Sequence, residues 1–258
     1  MYQDTYSALC NAARAKATLL ERNPLGFFVS SMVAGMFITF GSLLAMTVGG
    51  LLTAAGFGAP KLLAALAFSA ALSLVITAGC ELFTGNNLTM TAASLAGQVK
   101  WSQTLTLWAV CWLGNLAGSW LTIVLYTLSG AGSAEAVAAY FAASAAAKVA
   151  LSPLEMVVRG ILCNICVCLA VWCSFRLQNE CAKLVMTVWC ILIFMTCGFE
   201  HSIANMSIIG VALLNPMGES ISLVGYITNL LLVTVGNCIG GGGFVALPYF
   251  LISREAKS

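Results

Sequence analysis

Long apolar segments alternate with short polar ones along this chain. A helix needs about 20 apolar residues to cross a bilayer, and six segments reach that length. They run over about 26–48, 62–97, 103–129, 154–175, 184–214 and 222–251. The second and the fifth are too long for one plain crossing, and polar and small residues interrupt each of them. The pattern predicts an all-α membrane protein with six transmembrane helices, of which the second and the fifth are broken.

The two interruptions are copies of one pattern, G-x-E-x-x-x-x-N. The copies consist of Gly79, Glu81 and Asn86, and of Gly198, Glu200 and Asn205. A carboxylic acid in an apolar span is costly, so it is rare and usually functional. Two such acids in matched places indicate an internally duplicated protein.

Other matched motifs extend the duplication to the remaining spans. Gly114-Asn115-x-x-Gly118 in span three matches Gly236-Asn237-x-x-Gly240 in span six, and Val33-x-Gly35 with Thr39 matches Val158-x-Gly160 with Asn164. Each half has three crossings, an odd number, so the second half must be inverted. We therefore predict two inverted repeats, about 26–129 and 154–251. Inverted repeats with discontinuous helices place a substrate path near the midplane, between the halves.

Composition excludes a water-soluble protein. The chain is 60% hydrophobic and 8% charged, against about 25% charged residues in soluble domains. The net charge is +2 without a basic tract, so we expect a lipid bilayer around the protein and no nucleic acid.

The charges also predict the organisation of the ends. Residues 1–24 are polar and amphipathic, which predicts a cytoplasmic helix along the membrane surface. Residues 25–252 form the predicted six-span channel domain, and 253–258 a cytoplasmic tail. With both ends inside, eight basic residues are cytoplasmic and three are outside, as the positive-inside rule requires. The first set is Arg14, Lys16, Arg22, Lys100, Arg176, Lys183, Arg254 and Lys257, and the second is Lys61, Lys148 and Arg159.

Cysteine and histidine usage predicts no metal site and no cofactor. Most of the eleven cysteines lie inside apolar runs, where a thiol packs as a small hydrophobe. Cys163-x-x-Cys166 resembles a metal or redox pair, but a zinc site needs four ligands and the chain has one histidine. A haem or iron–sulfur enzyme would need paired histidines or a polar cysteine cluster, so we expect no enzyme.

The predicted breaks favour an anion. A break frees backbone N–H groups at the start of a half-helix, where the helix dipole also favours negative charge. Non-helical backbone at membrane depth is tolerated only inside protein or along a cavity. The lone His201 lies beside the second break. It argues against a pore for neutral solutes, which remains the remoter alternative.

The same residues resemble the signatures of the formate/nitrite transporter family. The resemblance rests on Glu81-Leu82-Phe83-Thr84-Gly85-Asn86 and on the run Gly198-Phe199-Glu200-His201-Ser202-Ile203-Ala204-Asn205-Met206. It includes Asn23-Pro24-Leu25-Gly26-Phe27 and Leu162-Cys163-Asn164, and it is greatest for the nitrite channels. It implies an aquaporin-like protomer, a homopentamer with one pore per protomer, and a bacterial inner-membrane location. The implied function is passage of small monovalent weak-acid anions, first nitrite, alternatively formate or hydrosulfide.

The resemblance also implies roles for individual residues. His201 matches the central pore histidine, Thr84 lies on a mobile loop, Asn164 is polar near the pore centre, and Lys148 is electropositive at the outer vestibule. Asn205 is a further candidate for pore hydrogen bonding. The implied constrictions are formed by Phe68, Leu72, Leu82, Phe83, Val167 and Phe194.

Three roles stay open at this point. His201 either binds the anion or exchanges a proton with it, or is a neutral histidine held by hydrogen bonds. Lys148, placed in an alanine-rich loop, either attracts anions or is an ordinary solvated lysine. We interpret Glu81 and Glu200 as structural acids that accept backbone N–H groups at the breaks, with a proton relay as the alternative. Asn115 and Asn237 are interpreted as helix-contact residues, since small neighbours let helices approach closely.

Overall fold

The computed structural model describes residues 2–253. Most of the predicted cytoplasmic tail, with Arg254 and Lys257, lies outside the described residues. The described chain is helical throughout its length, with short connections. The prediction of six helices long and apolar enough to span a membrane is confirmed.

The first half of the chain contains five helices, and the second half repeats them. The first five are α1 (Gln3–Arg22), α2 (Pro24–Ala54), α3 (Pro60–Ala78), α4 (Phe83–Leu95) and α5 (Trp101–Ser129). The next five are α6 (Glu135–Val149), α7 (Pro153–Arg176), α8 (Glu180–Cys197), α9 (Ser202–Leu214) and α10 (Leu223–Cys238). A π-helix (Ile239–Ala246) and α11 (Leu247–Ser253) complete the last span.

Both predicted breaks are present, and both begin at a glycine in the left-handed region. Gly79 ends α3 with φ 72°, and Gly198 ends α8 with φ 77°. A residue with a Cβ is strained there, whereas glycine adopts this conformation readily. The half-helices α4 and α9 start four residues later, so the second and fifth spans are each divided into two helices.

An asparagine on α5 bridges the first break. The Asn115 side chain accepts a hydrogen bond from the Phe83 backbone N–H at 3.0 Å and donates to the Glu81 carbonyl at 2.9 Å. It also donates to the Ser31 carbonyl at 2.7 Å. Its amide therefore satisfies backbone groups on both sides of the gap in the second span.

An equivalent asparagine bridges the second break in the same way. Asn237 accepts from the Ser202 N–H at 3.0 Å and donates to the carbonyls of Glu200, at 3.0 Å, and Gly160, at 2.8 Å. The interpretation of these two asparagines as helix-contact residues was therefore incomplete. Each one takes up backbone groups that the interrupted helix leaves unpaired, as buried polar groups require.

Glycines bring the matched spans of each repeat into close contact. A Cβ added at Gly114 on α5 would lie 2.5 Å from the Ser31 Cβ on α2, and one at Gly118 would overlap the Met32 carbonyl oxygen. On α10, a Cβ at Gly236 would overlap the Val157 carbonyl oxygen of α7. Backbone contact of this kind is how transmembrane helices pack when small residues line an interface.

The duplication extends further than the sequence indicated. The alanine-rich segment before span four, predicted as a loop, forms helix α6, because alanine is the strongest helix former. Helix α1 packs on α4, and α6 packs on α9. Each repeat is thus a short helix followed by three spans, and the two short helices lie against the two half-helices.

The last span also departs from the prediction of one plain helix. After Cys238 the chain continues as a π-helix that contains four successive glycines, Gly240 to Gly243. This π-helix packs against α4 and α7.

Candidate functional site

The Thr84 hydroxyl and the His201 ring meet between the two half-helices. Thr84 lies in the first turn of α4, and His201 is the N-cap of α9. Their Oγ1 and Nε2 atoms are 3.0 Å apart, and both side chains are buried. Thr84 and His201, which have no like residue at the equivalent positions Ile203 and Leu82 of the other motif copy, are therefore brought together.

The other ring nitrogen of His201 determines the proton arrangement. The Ala204 backbone N–H donates to Nδ1 at 3.0 Å, so Nδ1 carries no proton and the ring is neutral. The remaining ring proton lies on Nε2 and is donated to the Thr84 oxygen. The hydroxyl hydrogen of Thr84 is then left to donate to another group.

Aromatic rings cover this pair on one side. The Phe194 ring stacks on the His201 ring at a centroid distance of 5.9 Å, and Phe68 contacts Phe194 edge-on at 6.0 Å. Both phenylalanines are 1% exposed. The histidine therefore lies directly behind a dry aromatic layer.

Asn164 links both repeats to the centre. Its Nδ2 lies 2.7 Å from the Asn237 carbonyl, 3.0 Å from the Asn87 Oδ1 and 3.3 Å from the Thr84 carbonyl. Within residues 2–253 its Oδ1 has no hydrogen-bond partner. Asn164 thus joins the start of α4 to the residue that bridges the second break, and keeps a buried acceptor free.

A lysine, a glutamate and an asparagine form a triad beside the second break. The Lys148 Nζ is 3.0 Å from both Glu200 carboxylate oxygens. The Asn205 Nδ2 donates to Glu200 at 2.6 Å and to Asn229 Oδ1 at 2.8 Å. Lys148, in the last turn of α6, is therefore not the solvated loop lysine that one of the two expectations described.

A second triad lies beside the first break. The Lys16 Nζ of α1 is 2.7 Å from Glu81 Oε2, and the Asn86 Nδ2 is 2.9 Å from the same oxygen. Side chains of lysine and asparagine, rather than backbone N–H groups, thus bind both glutamates, which corrects the earlier interpretation. Sequence reasoning missed Lys16 in this role, because its pairing with Glu81 spans 65 residues.

The Formate/nitrite transporter family model matches residues 3–251 of the chain. The chain belongs to the formate/nitrite transporter family. It is 37% identical to the nitrite transporter NirC of Escherichia coli K12 over 258 residues, which cover all of this chain and 94% of that protein.

Two solved structures resemble this transporter over nearly its whole length. A structure described as an FNT family ion channel has a TM-score of 0.91 and 35% identity, covering 97% of this chain and 99% of its own. A pentameric formate channel with formate bound has a TM-score of 0.76 and 29% identity, covering 94% and 98%. The predicted family and fold class are confirmed.

The transporter has a cavity at the Lys16 triad. It measures about 370 Å³ and is lined by Lys16, Glu81 and Asn86 together with Leu72 and Leu82. Gly79, at the break, also borders it. Two of the predicted constriction residues therefore lie on the apolar part of the wall of this cavity, the Lys16 vestibule, on the side of the break that α1 covers.

The remaining predicted constriction residues are separated. Phe83 packs edge-on against Trp108 of α5 at 6.2 Å and lies away from the aromatic layer of Phe68 and Phe194. Val167 is 1% exposed on α7, between Asn164 and the vestibule residue Val171. The structure thus divides the predicted set into an aromatic pair at His201, a leucine pair at the vestibule, and two packed residues.

No group of three or more histidine, cysteine, aspartate or glutamate residues in 2–253 has the arrangement of a metal site. The centre contains one imidazole, one hydroxyl in contact with it, and three amide or hydroxyl oxygens without a partner in the described chain, on Asn164, Ser202 and Asn205.

Proposed function

We propose that this transporter is a membrane channel for small monovalent weak-acid anions, with nitrite as the first substrate and formate or hydrosulfide as alternatives. The observation that carries the proposal is the buried contact between Thr84 and His201 behind the Phe68–Phe194 layer. It offers a hydroxyl donor and a neutral imidazole beside a buried aromatic layer.

The two lysine triads supply the electrostatic part of the mechanism. Each lysine lies at one end of the path and is largely balanced by its glutamate. A positive group attracts an anion and raises its local concentration. The paired carboxylate limits the strength of binding, and a channel needs binding weak enough for release.

The dry centre favours the neutral acid over the anion. A hydrophobic constriction blocks a hydrated ion by dewetting, and the Phe68–Phe194 layer is such a barrier. A weak-acid anion that takes up a proton from the water on one side of the layer becomes the neutral acid, crosses more easily, and releases the proton to the water on the other side. Thr84 can donate its free hydroxyl hydrogen to the passing oxygen, and His201 holds the Thr84 oxygen in place.

Relatives of this transporter support the choice of substrate. NirC is described as a nitrite transporter, and one of the similar structures is a formate channel with formate bound. Both substrates are small planar anions with a protonated weak-acid form. We propose nitrite first because the relative with that description matches the full length of this chain.

The proposal includes the assembly, the membrane and the orientation. We infer a homopentamer with one pore per protomer, since a similar structure is pentameric. We place it in a bacterial inner membrane with both termini cytoplasmic, so the Lys16 vestibule faces the cytoplasm and the Lys148 triad faces outward. Apart from the proton that the anion gains and later releases, no covalent bond is formed or broken during its passage, so we propose a channel and no enzyme.

Flux into proteoliposomes tests this proposal. Nitrite, formate, hydrosulfide and chloride are compared at pH 6 and pH 8, with protein-free liposomes as the background. We expect flux of the weak-acid anions that rises at the lower pH and little flux of chloride, which has no accessible neutral form. Equal passage of chloride and nitrite would contradict the weak-acid mechanism, and no flux of any anion would contradict the class.

A further inference from the structure

Each half-helix packs against the last span of the other repeat, α4 against span six and α9 against span three, and the two contacts place the small and the large residue on opposite sides. Thr91 of α4 and Gly210 of α9 occupy equivalent positions, 119 residues apart, and Gly242 and Trp120 are equivalent at an offset of 122. In the first repeat unit the half-helix contributes a side chain and the partnering span a glycine. In the second unit the half-helix contributes the glycine and the span the large residue.

The outer half-helix α9 is held by side chains. A Cβ at Gly210 would lie 2.8 Å from Ile123 Cδ1 and 3.7 Å from Trp120 Cζ2, both on α5. The Trp120 indole donates to the Tyr226 hydroxyl at 3.0 Å, and that hydroxyl donates to the Met206 carbonyl of α9 at 3.2 Å. Helix α9, which begins beside His201, thus packs against the aromatic side chains of Trp120 and Tyr226.

The half-helix α4 rests on backbone. Thr84, Asn87 and Thr91 recur at i, i+3 and i+7, so they share one face of α4. A Cβ at Gly241 of the π-helix would lie 2.8 Å from the Asn87 Cβ, and one at Gly242 would lie 3.2 Å from the Thr91 Oγ1. The face of α4 that carries Thr84 therefore packs directly against Gly241 and Gly242.

Gly241 also leaves the space that Asn164 occupies. A Cβ there would lie 2.8 Å from the Asn164 Nδ2 and from the Cys168 Sγ. Asn164 bonds the Thr84 carbonyl, and Cys168 reaches the same carbonyl at 3.4 Å. Any side chain at this position would press on both groups that contact the Thr84 backbone.

We propose that Gly241 and Gly242 are positioning residues of the pore: by letting the Asn87 and Thr91 face of α4 approach their backbone closely, they set the position of the Thr84 hydroxyl opposite His201. This inference rests on the proposed function, because it assigns them a role in the same conduction path. Neither glycine touches the anion. They act through Asn87, Thr91 and Asn164, and π-helical segments commonly mark functional positions of this kind.

The chain provides a matched set of variants. Gly242→Ala brings a methyl group to 3.2 Å from Thr91 Oγ1 and 3.5 Å from its Cγ2, whereas Thr91→Ala removes both atoms and leaves the Cβ at 3.8 Å. The Thr91 hydroxyl has no partner in residues 2–253, so its removal breaks no hydrogen bond there. Gly243 is the control, because it is exposed and a Cβ there meets nothing nearer than 4.0 Å.

The experiment measures nitrite and formate flux per folded oligomer in proteoliposomes over a pH series. Small displacements of a positioned group can cost about tenfold or more in rate. We expect Gly242→Ala to lower nitrite flux about tenfold, to change the nitrite-to-formate ratio and to shift the pH profile. Gly242→Ala combined with Thr91→Ala should restore all three to the level of Thr91→Ala alone, and Gly243→Ala should match the wild type. Gly241→Ala should lower the nitrite flux more than Gly242→Ala does.

Two results would overturn the inference. One is a Gly242→Ala variant that matches Gly243→Ala in flux, ratio and pH profile. The other is a double variant that recovers the folded amount but none of the lost flux. A wild-type protein that passes no anion would instead contradict the proposed function, so the two failures are distinguishable.

Discussion

The Thr84 hydroxyl oxygen lies 3.0 Å from Nε2 of His201, while Nδ1 of the same ring accepts a hydrogen bond from the Ala204 N–H. The backbone donor fixes the tautomer, so a neutral imidazole donates to the hydroxyl. A protonated ring would lose the bond that caps α9. Protonation of His201 and the hydrogen bond that caps the start of α9 are therefore mutually exclusive.

His201→Phe tests the role of the ring nitrogens. Phenylalanine preserves the stacking on Phe194 but offers neither nitrogen, so we expect nitrite flux to fall about 100-fold and its pH dependence to flatten. His201→Asn is the control for folding, because an asparagine oxygen also caps a helix N-terminus. Unchanged flux with an unchanged pH profile in His201→Phe would refute the role.

Thr84→Val tests the hydroxyl alone. Valine has nearly the same shape, but it leaves the buried Nε2–H without an acceptor, at a cost of about 1–3 kcal/mol. We expect a loss of nitrite flux and a lower thermal midpoint, both measured on the purified protein. Thr84→Ser keeps the hydroxyl and should retain most of the flux. If valine and serine behave alike, the hydroxyl has no part in conduction.

Lys148→Met should destabilise the protein strongly. It leaves the Glu200 carboxylate, whose side chain is 4% exposed, without its cation, and such losses cost about 3–5 kcal/mol. Denaturant unfolding in mixed micelles measures the change. Lys148→Met with Glu200→Gln should be less damaging than Lys148→Met alone, because no charge is then unpaired.

The control for that pair is the ion pair of Lys183 and Glu180. Its glutamate side chain is 80% exposed, and exposed pairs contribute about 0–1 kcal/mol. Lys183→Met should therefore leave the unfolding free energy almost unchanged. If Lys183→Met lowered the unfolding free energy as much as Lys148→Met does, burial of the glutamate would not explain the cost of losing its lysine.

Asn115→Leu and Asn237→Leu should cost similar amounts of stability. Each removes one acceptor and two donors from backbone groups around a break, in nearly the same geometry. Each unpaired buried group costs about 1–3 kcal/mol, so we expect a marked loss of folded protein for both variants. Size-exclusion chromatography after solubilisation measures it. Normal folding of either variant would show that the break does not need its asparagine.

Two native cysteines test the proposed orientation. Cys181, at the start of α8, is exposed, whereas burial of Cys10 in α1 raises the pKa of its thiol to about 11. A membrane-impermeant maleimide at pH 7 should therefore label Cys181 and leave Cys10 unmodified. In a Cys197→Ser background, which removes the other exposed thiol, we expect labelling only in inside-out vesicles, and its loss in Cys181→Ser. Labelling of intact spheroplasts at Cys181 would reverse the orientation.

Local pattern was sufficient to predict the spans and their breaks. Apolar runs, the twin Gly79 and Gly198 motifs and the repeated Gly-Asn-x-x-Gly segments all act within a few residues, so the sequence displays them directly. Membrane depth restricts the backbone to helices, which makes such patterns unusually informative.

Partners distant in the sequence could not be predicted. Nothing near Lys16 indicates Glu81, 65 residues away. The alanine-rich run before span four was predicted as a loop, although alanine favours a helix. The π-helix was also missed, because four glycines in an apolar run fit a plain span equally well.

The inverted pair of Lys–Glu–Asn triads has a consequence for the direction of transport. In the proposed channel, an ion that arrives from either side meets the same three chemical groups, so the two ends of the energy profile resemble each other. The centre differs between the halves, since His201 has Leu82 as its counterpart 119 residues earlier. We expect a passage with little intrinsic rectification, in which concentration and proton gradients alone decide whether the anion enters or leaves the cell.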